Sequence, residues 1–392
     1  MTIQGAAYVA GAYEHPARRI TDKSLLEIHA EVATGALADA GLGFEDVDAY
    51  FCDSEVPGLG PLSMADYLGL RLRHVDSTDT GGSAYLTHVG HAAEAIALGR
   101  CHVALITMAG LPRSAAWGPV HRTDTPEYAF EALFGSTTPA AYALAARRHM
   151  YEYGTTSEQL AAVKVTASEH AQHNQNAYLR DVVTVQQVLD SPLVSDPLHR
   201  LDCCVITDGG GALVVVSAAV ARRLDRHCVA VLGQAEAPKH ADGGRVDLTY
   251  TGAVWSGPRA FAEAGVGPGD IDYASIYDSF TITVVETVED LGFCKKGDGG
   301  PFAASGALRA PDGLLPFNTD GGGLCNNHPG NRGGMPKVIE AVRQLRGEAH
   351  PAVQVPDCEI ALAHGTGGSL ATRMVSSTLV LGREPVRAGG PG

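Results

Sequence analysis

The chain has 392 residues, 45% apolar and 19% charged, a composition that supplies a large buried core and two or three domains' worth of structure rather than a disordered chain. A formal net charge of −15 repels nucleic acid and anionic membranes, and neither a basic block nor a zinc-finger spacing is present. An acidic total still permits an anionic small ligand held by local basic residues.

In chain order, the opening MTIQGAAYVAGAYEH lacks a basic segment followed by an apolar one, so no signal peptide is expected. The eight cysteines are scattered without a CxxC pair, which reads as reduced, mostly buried thiols and a cytoplasmic protein. ALADAGLGFEDVD (Ala36–Asp48) predicts a helix ending at Gly41, a turn starting at Asp46, and a strand over VDAYFC.

TDTGGSAYLTHVGHAAEAI follows. Gly81, Gly82 and Ser83 open a helix with apolar residues at Leu86, Val89, Ala92, Ala93 and Ile96. Unpaired N–H groups at such a start favour an anion or a developing oxyanion, and Ser83 is also a natural N-cap. His88 and His91 lie three apart on this helix. Without a third ligand at a metal spacing they read as packing or surface residues.

CHVALITM (Cys101–Met108) reads as a buried strand. An insertion is expected at about 115–200. Its Gly118–Asn176 part carries the helical patterns PAAYALAARRHMYEYG and SEQLAAVKVTASEHAQ, and either shapes a substrate pocket or serves as an ordinary helical cap. The most apolar stretch, Gly210–Ala221, is too short to span a bilayer.

AFAEAGVGPGDID (Ala260–Asp272) repeats Ala36–Asp48 with seven of thirteen positions identical, at an offset of 224 residues. The later parts of the two halves also correspond, with Gly-rich turns leading into helices at Gly82–Leu98 and Gly333–Leu345. Helices alternating with short buried strands predict α/β layers, with residues 1–240 as one half and 241–392 as the other.

The second half carries most of the candidate chemistry. Tyr277 ends a strand, where its phenol can reach a crevice, and Asp278, Ser279 and Phe280 follow. GGGLCNNHPGNRGG surrounds His328 with glycines, so backbone can approach a ligand closely while the imidazole donates a hydrogen bond or moves a proton. Asn326 and Asn327 supply neutral donors or stabilise the turn. His364 is expected to end a strand and open the loop HGTGGS, which includes Gly367, with Ser369 capping a further helix. The tail REPVRAGGPG reads as a frayed end.

Taken together, DTGGSAYLTHVGHAAEAI, YGTTSEQLA, ITDGGGALVVVS, the strand–YDSF segment, NNHPGNRGG and ALAHGTGG resemble the thiolase superfamily over essentially the whole chain, specifically its SCP-x/lipid-transfer-protein-like branch. That resemblance implies two βαβαβαββ halves stacked as αβαβα layers, and a homodimer. It places the family's nucleophilic cysteine on Gly81, its second cysteine on His364, its Gly-His-Pro histidine on His328, and the oxyanion-site Asn or His on Tyr277. Glycine cannot hold an acyl group as a thiolate does. Cys325 matches neither family cysteine.

Members of this branch that lack the cysteine act as aldolases on CoA thioesters of steroid side chains, beside a small OB-fold, zinc-containing partner. The resemblance therefore implies retro-aldol cleavage of a β-hydroxyacyl-CoA, with Tyr277 and His328 as acid/base and enolate-stabilising residues. His364 and Asp278 support them, and Gly81, Gly82, Ser83, Asn327 and Gly367 line the thioester site. No metal and no tightly bound cofactor are expected, CoA being part of the substrate. Two other readings stay open: an acyltransferase with another nucleophile, and a noncatalytic acyl-CoA or lipid-binding subunit.

Overall fold

The computed structural model describes residues 2–115, 134–135, 137–240, 245–330, 332–370 and 373–383. The part of the expected insertion at 116–133 and 136, and the tail at 384–392, lie outside the described residues.

The elements run in the order β1 (Ala7–Glu14), α1 (Leu25–Ala40), β2 (Ala49–Phe51), α2 (Pro61–Leu68), β3 (His74–Asp76), α3 (Ala84–Ala97) and β4 (Val103–Gly110). There follow α4 (Thr138–Tyr153), α5 (Ser157–Ala171), α6 (Val185–Leu189), β5 (Leu193–Ser195), β6 (Leu198–His199), β7 (Gly209–Ser217), α7 (Ala218–Ala221) and β8 (Val229–Lys239). The chain closes with α8 (Ala253–Ala264), β9 (Tyr273–Ile276), α9 (Thr281–Asp290), α10 (Gly299–Ala304), α11 (Gly322–Cys325), α12 (Gly334–Arg346), β10 (Ile360–Gly367) and β11 (Met374–Gly382).

The repeated segments fold alike. Helix α1 starts at Ser24, whose hydroxyl and Glu27 form a reciprocal capping box, and ends at left-handed Gly41 (φ 69°). Helix α8 ends the same way at Gly265 (φ 72°). A 3₁₀ turn at Phe44–Asp46 or Pro268–Asp270 then feeds β2 or β9.

Among the described residues, nine strands form one mixed sheet in the order β3-β2-β4-β7-β1-β8-β11-β10-β9. It reads symmetrically outward from its centre. β1 and β8 meet through Tyr8↔Ala230 and Val9↔Val229, each has an antiparallel neighbour (β7 or β11), and the next strand (β4 or β10) runs parallel to β2 or β9. The first side extends to β3. Among the described residues the second ends at β9.

Side-chain alternation along the strands separates two cores. Val9, Ile106, Val215, Ala363 and Leu379 pack with Tyr85, Leu86 and Val89 of α3 and Val338, Ile339 and Val342 of α12. Tyr8, Leu105, Val214, Leu362 and Val380 face the other way, toward α1 and α8. Helices α3 and α12 are buried on nearly every side, so they lie between layers rather than on the surface.

Three local expectations are corrected. Ser83 does not cap α3. Its backbone is already helical (φ −84°, ψ −13°), and its hydroxyl donates back to the Thr80 carbonyl at 2.8 Å. His364 is not a strand end, because β10 continues through Gly367, paired with β11 as far as Gly367↔Val375. The glycines after His364 read as a loop, but their function is closeness: a Cβ on Gly365 would lie 3.0 Å from the Ser83 Cα, and one on Gly367 would collide with the Thr80 carbonyl. Nor does Ser369 cap a helix, since β11 is the next described element.

Candidate functional site

The starts of α3 and α12 abut. A side chain on Gly334 would strike the Gly82 carbonyl, one on Gly82 would strike the Tyr277 ring, and a Cβ on Gly333 would lie 2.9 Å from the His328 imidazole and 3.0 Å from the Tyr277 ring. Two helix N-termini therefore converge on Tyr277 and His328, bringing partial positive charge to one spot. The two rings stand edge to face, with centroids 5.3 Å apart and planes at 73°.

Tyr277 follows β9, and its backbone N–H donates to the His364 carbonyl at 2.9 Å. Burial pushes its phenol well above the ordinary range; Cys204 and Tyr142 add to this, and the Gly333 amide opposes it. Tyr277 is thus a protonated donor.

His328 is held through its peptide. Its N–H donates to the Thr207 hydroxyl at 2.9 Å, and that hydroxyl donates to Asn327 Oδ1 at 2.9 Å. Burial lowers the imidazole to about 4, against the pull of Asp278 and with help from Lys337. The ring is neutral at pH 7, and its Nε2 is buried without a hydrogen-bond partner.

Asp278 acts on structure. Its carboxylate accepts the Gly323 and Leu324 N–H groups at 2.7 and 3.0 Å, and Lys337 Nζ at 2.7 Å. It thereby fixes α11, the turn that leads into the His328 loop. Asn327, expected among the substrate-binding groups, has its amide engaged by Glu14 (2.9 Å) and Thr207 (2.9 Å), so it anchors the loop. His364 turns its imidazole toward α8, where Nδ1 meets the Thr378 hydroxyl at 3.0 Å, and Thr378 meets Ser256 at 2.9 Å. Burial lowers His364 to about 3. Its contact with Tyr277 is made by its carbonyl.

Gly81 occupies the place of the expected nucleophile. It is left-handed (φ 64°), its N–H donates to Asp79 Oδ1 at 2.9 Å, and a Cβ there would lie 3.2 Å from both Gly367 Cα and Gly368 N. L side chains rarely adopt this conformation. Cys325 is no substitute, because burial raises its thiol, and Lys164 Nζ contacts Sγ at 3.1 Å from the side of α5.

The sequence reading missed the supports of the His328 loop. Lys337 sits in the first turn of α12, where a cation opposes the helix dipole, and that oddity was a readable signal. Glu14, which accepts from Arg18 at 2.7 Å and Arg343 at 3.3 Å besides Asn327, carries no local signal at all. Burial raises its carboxyl, but Arg18, Arg343 and Asn327 outweigh that and hold it below its ordinary range. Of the two helix histidines, His91 pairs with Asp76 at 2.6 Å and His88 meets the Thr78 carbonyl at 2.8 Å. No group of three metal-ligating side chains is arranged to hold an ion among the described residues.

Residues 235–383 match the family described as Thiolase C-terminal domain-like. An acetyl-CoA acetyltransferase of Methanothermobacter thermautotrophicus is 36% identical, over 94% of this chain and 98% of that protein. A steroid side-chain-cleaving aldolase of Thermomonospora curvata is 34% identical, over 88% of this chain and 91% of its own length. The chain belongs to the thiolase superfamily, in its SCP-x/lipid-transfer-protein-like branch. A solved structure of this branch, an Ltp2-ChsH2(DUF35) aldolase, superposes with a TM-score of 0.89 at 33% identity, covering 98% of this chain and 99% of that one. Within the thiolase superfamily this chain therefore resembles proteins named for two chemistries, acyl transfer and carbon–carbon cleavage, and the residues at Gly81 and Tyr277 bear on the choice.

Proposed function

We propose that this protein cleaves a β-hydroxyacyl-CoA thioester, of a steroid or other lipid side chain, by a retro-aldol reaction. The observation that carries the reading is the convergence of a neutral Tyr277 phenol, a neutral His328 imidazole and two helix N-termini at a position where Gly81 leaves no nucleophile. Likeness to the steroid side-chain-cleaving aldolase and to the Ltp2-ChsH2(DUF35) aldolase supports it.

The chemistry follows from protonation states. A base takes the β-hydroxyl proton, the Cα–Cβ electron pair moves toward the thioester carbonyl, and an aldehyde or ketone leaves. The remaining enolate is protonated at the α-carbon to give the shortened acyl-CoA. A phenol raised by burial donates rather than accepts, so Tyr277 holds the enolate oxygen. The free Nε2 of His328 takes the β-hydroxyl proton. Preorganised donors in a dry site contribute most of such stabilisation. Asp278 and the His364 carbonyl position the pair, and Gly81, Gly82, Ser83 and Gly367 form the close-packed wall on which the thioester lies.

The acetyltransferase likeness favours acyl transfer as a second reading, and the glycine at 81 opposes it. We further infer a homodimer of αβαβα units divided near residue 240, a cytoplasmic location, and a small OB-fold, zinc-containing companion. No described helix is long and apolar enough to cross a membrane.

The test is to incubate the protein, with and without that companion, with a branched β-hydroxyacyl-CoA. Release of an aldehyde or ketone together with a shortened acyl-CoA, without consumption of free CoA, is the expected result. Strict dependence on free CoA with a trapped acyl-cysteine would establish acyl transfer instead, and tight binding without turnover a binding subunit.

A further inference from the structure

The two helices whose starts frame the candidate site are also tied together through a single atom. Asp53 lies two residues past the end of β2, and its Oδ2 accepts both the Tyr85 hydroxyl at 2.7 Å and Arg332 Nε at 2.9 Å. Tyr85 belongs to the first turn of α3, and Arg332 stands two residues before α12. All three side chains are buried. Arg332 pairs with Glu55 as well, whose N–H donates to Asp53 Oδ1 at 3.2 Å, so the carboxylate is held by its own loop. This tie sits within a helical turn of the place where the helices touch. Gly82, whose carbonyl a side chain on Gly334 would strike, precedes Tyr85 by three residues, and Gly333, which lies against the rings of Tyr277 and His328, directly follows Arg332. Asp53 also stands 224 residues before Tyr277, the offset of the internal repeat, and the two follow the matching strands β2 and β9. Each copy of the repeat thus ends its strand on a polar group at the helix starts, a phenol in one and a carboxylate in the other.

A buried ion pair is weak support for a fold, since apolar side chains of equal volume often hold it as well or better. What apolar packing does not fix is a distance. Packed surfaces slide past one another, whereas two directional bonds that end on one oxygen leave the starts of α3 and α12 a single separation. That separation sets how far the Gly82 wall stands from Tyr277 and His328. A misplacement of about 1 Å between reacting groups costs on the order of 10²-fold in rate.

We propose that Asp53 is a positioning residue: through Tyr85 and Arg332 it sets the gap between the starts of α3 and α12 beside which Tyr277 and His328 act. The inference rests on the thioester-cleaving reading for its activity readout, and a structural readout stands apart from that reading. Asp53→Ala and Tyr85→Phe are measured alone and in a Tyr277→Phe background. Lyase kcat is expected to fall about 10²-fold in Asp53→Ala and about tenfold in Tyr85→Phe, with KM within about threefold of the wild type. In the Tyr277→Phe background the same two changes should lower kcat by less than about threefold, because the hydroxyl they position is gone. Melting temperatures should drop by equal amounts in the two backgrounds. Equal fold-losses of kcat in both backgrounds, or a lowered melting temperature with kcat unchanged, would show a residue that serves only the fold and would overturn the proposal. If Asp53→Ala does not fold, Tyr85→Phe, which removes one hydroxyl, carries the test. Should the wild type cleave no β-hydroxyacyl-CoA, the lyase reading fails alone. Crystal structures of the wild type and Tyr85→Phe then decide this one: the Gly82–Gly334 separation is expected to change by about 0.5 Å or more, and an unchanged separation sinks it.

Discussion

At Tyr277 and His328 the decisive quantity is the charge state, and burial sets it for both. Tyr277→Phe removes only the hydroxyl of a well-packed ring, so it should lower lyase kcat by about 10²–10⁴ while leaving the melting temperature within a few degrees. Unchanged turnover would remove the phenol from the chemistry. Because His328 in the free protein is lowered to about 4, kcat/KM should stay flat through pH 6.5 and fall only below about pH 5. A fall centred near pH 6.5 would mean an exposed, ordinary histidine. The same burial sets acid stability. His29, His170 and His328 are held to about 4 and His364 to about 3, all below an ordinary 6.5. Their neutral forms favour the fold, so the contribution is complete above pH 6.5 and is lost as pH falls through that value toward 4. The upper bound is roughly 3 kcal/mol for each ring held to about 4 and roughly 5 kcal/mol for His364. Glu340, raised to about 7 by burial and by Asp320, acts with the opposite sign, losing stability as pH rises from 4.5 to 7. Melting temperature should therefore drop between pH 6.5 and 4.5, and His364→Gln should flatten that slope, whatever it does to the melting temperature itself.

At the scale of elements, the site is made by close approach. Helices α3 and α12 can bring their starts together only because Gly82 and Gly334 lack side chains, and β10 can pass beside the α3 start only because Gly365 and Gly367 do. Gly334→Ala forces a methyl into the Gly82 carbonyl and should cost about 1–3 kcal/mol, read as a lower denaturant midpoint at constant slope. Restoring a thiol by Gly81→Cys should not restore acyl transfer. The residue would need a left-handed backbone and would press on the Gly367–Gly368 chain. An acyl-cysteine formed at that position during turnover would refute this account. These contacts explain why glycine-rich motifs were easy to find and hard to interpret. HGTGGS has the composition of a loop, yet its first four residues continue β10, and the glycines at 365 and 367 admit a neighbour.

At the scale of the whole molecule, the internal repeat becomes a sheet that reads nearly the same from its centre outward, with α3 and α12 packed on one face of it and the candidate site where their N-termini meet. Helix α3 leads into β4 on one side of the sheet and α12 into β10 on the other, so that spot draws on both sides. The His328 loop is accordingly held from the far end of the chain, by Glu14 and Arg18, and from its middle, by Thr207.

The repeat, the C-cap glycines at Gly41 and Gly265, the strands around Ala49 and Tyr273, and Tyr277 and His328 as candidates were legible in the residues, because each depends on local propensity or on a motif. The protonation of Tyr277 and His328, the turn of the His364 imidazole toward α8, the choice between the two roles open to Asn327 and the unpartnered carboxyl of Glu286 were not. Each is decided by which distant groups share a dry environment with it, and only the packed sheet and helices determine that.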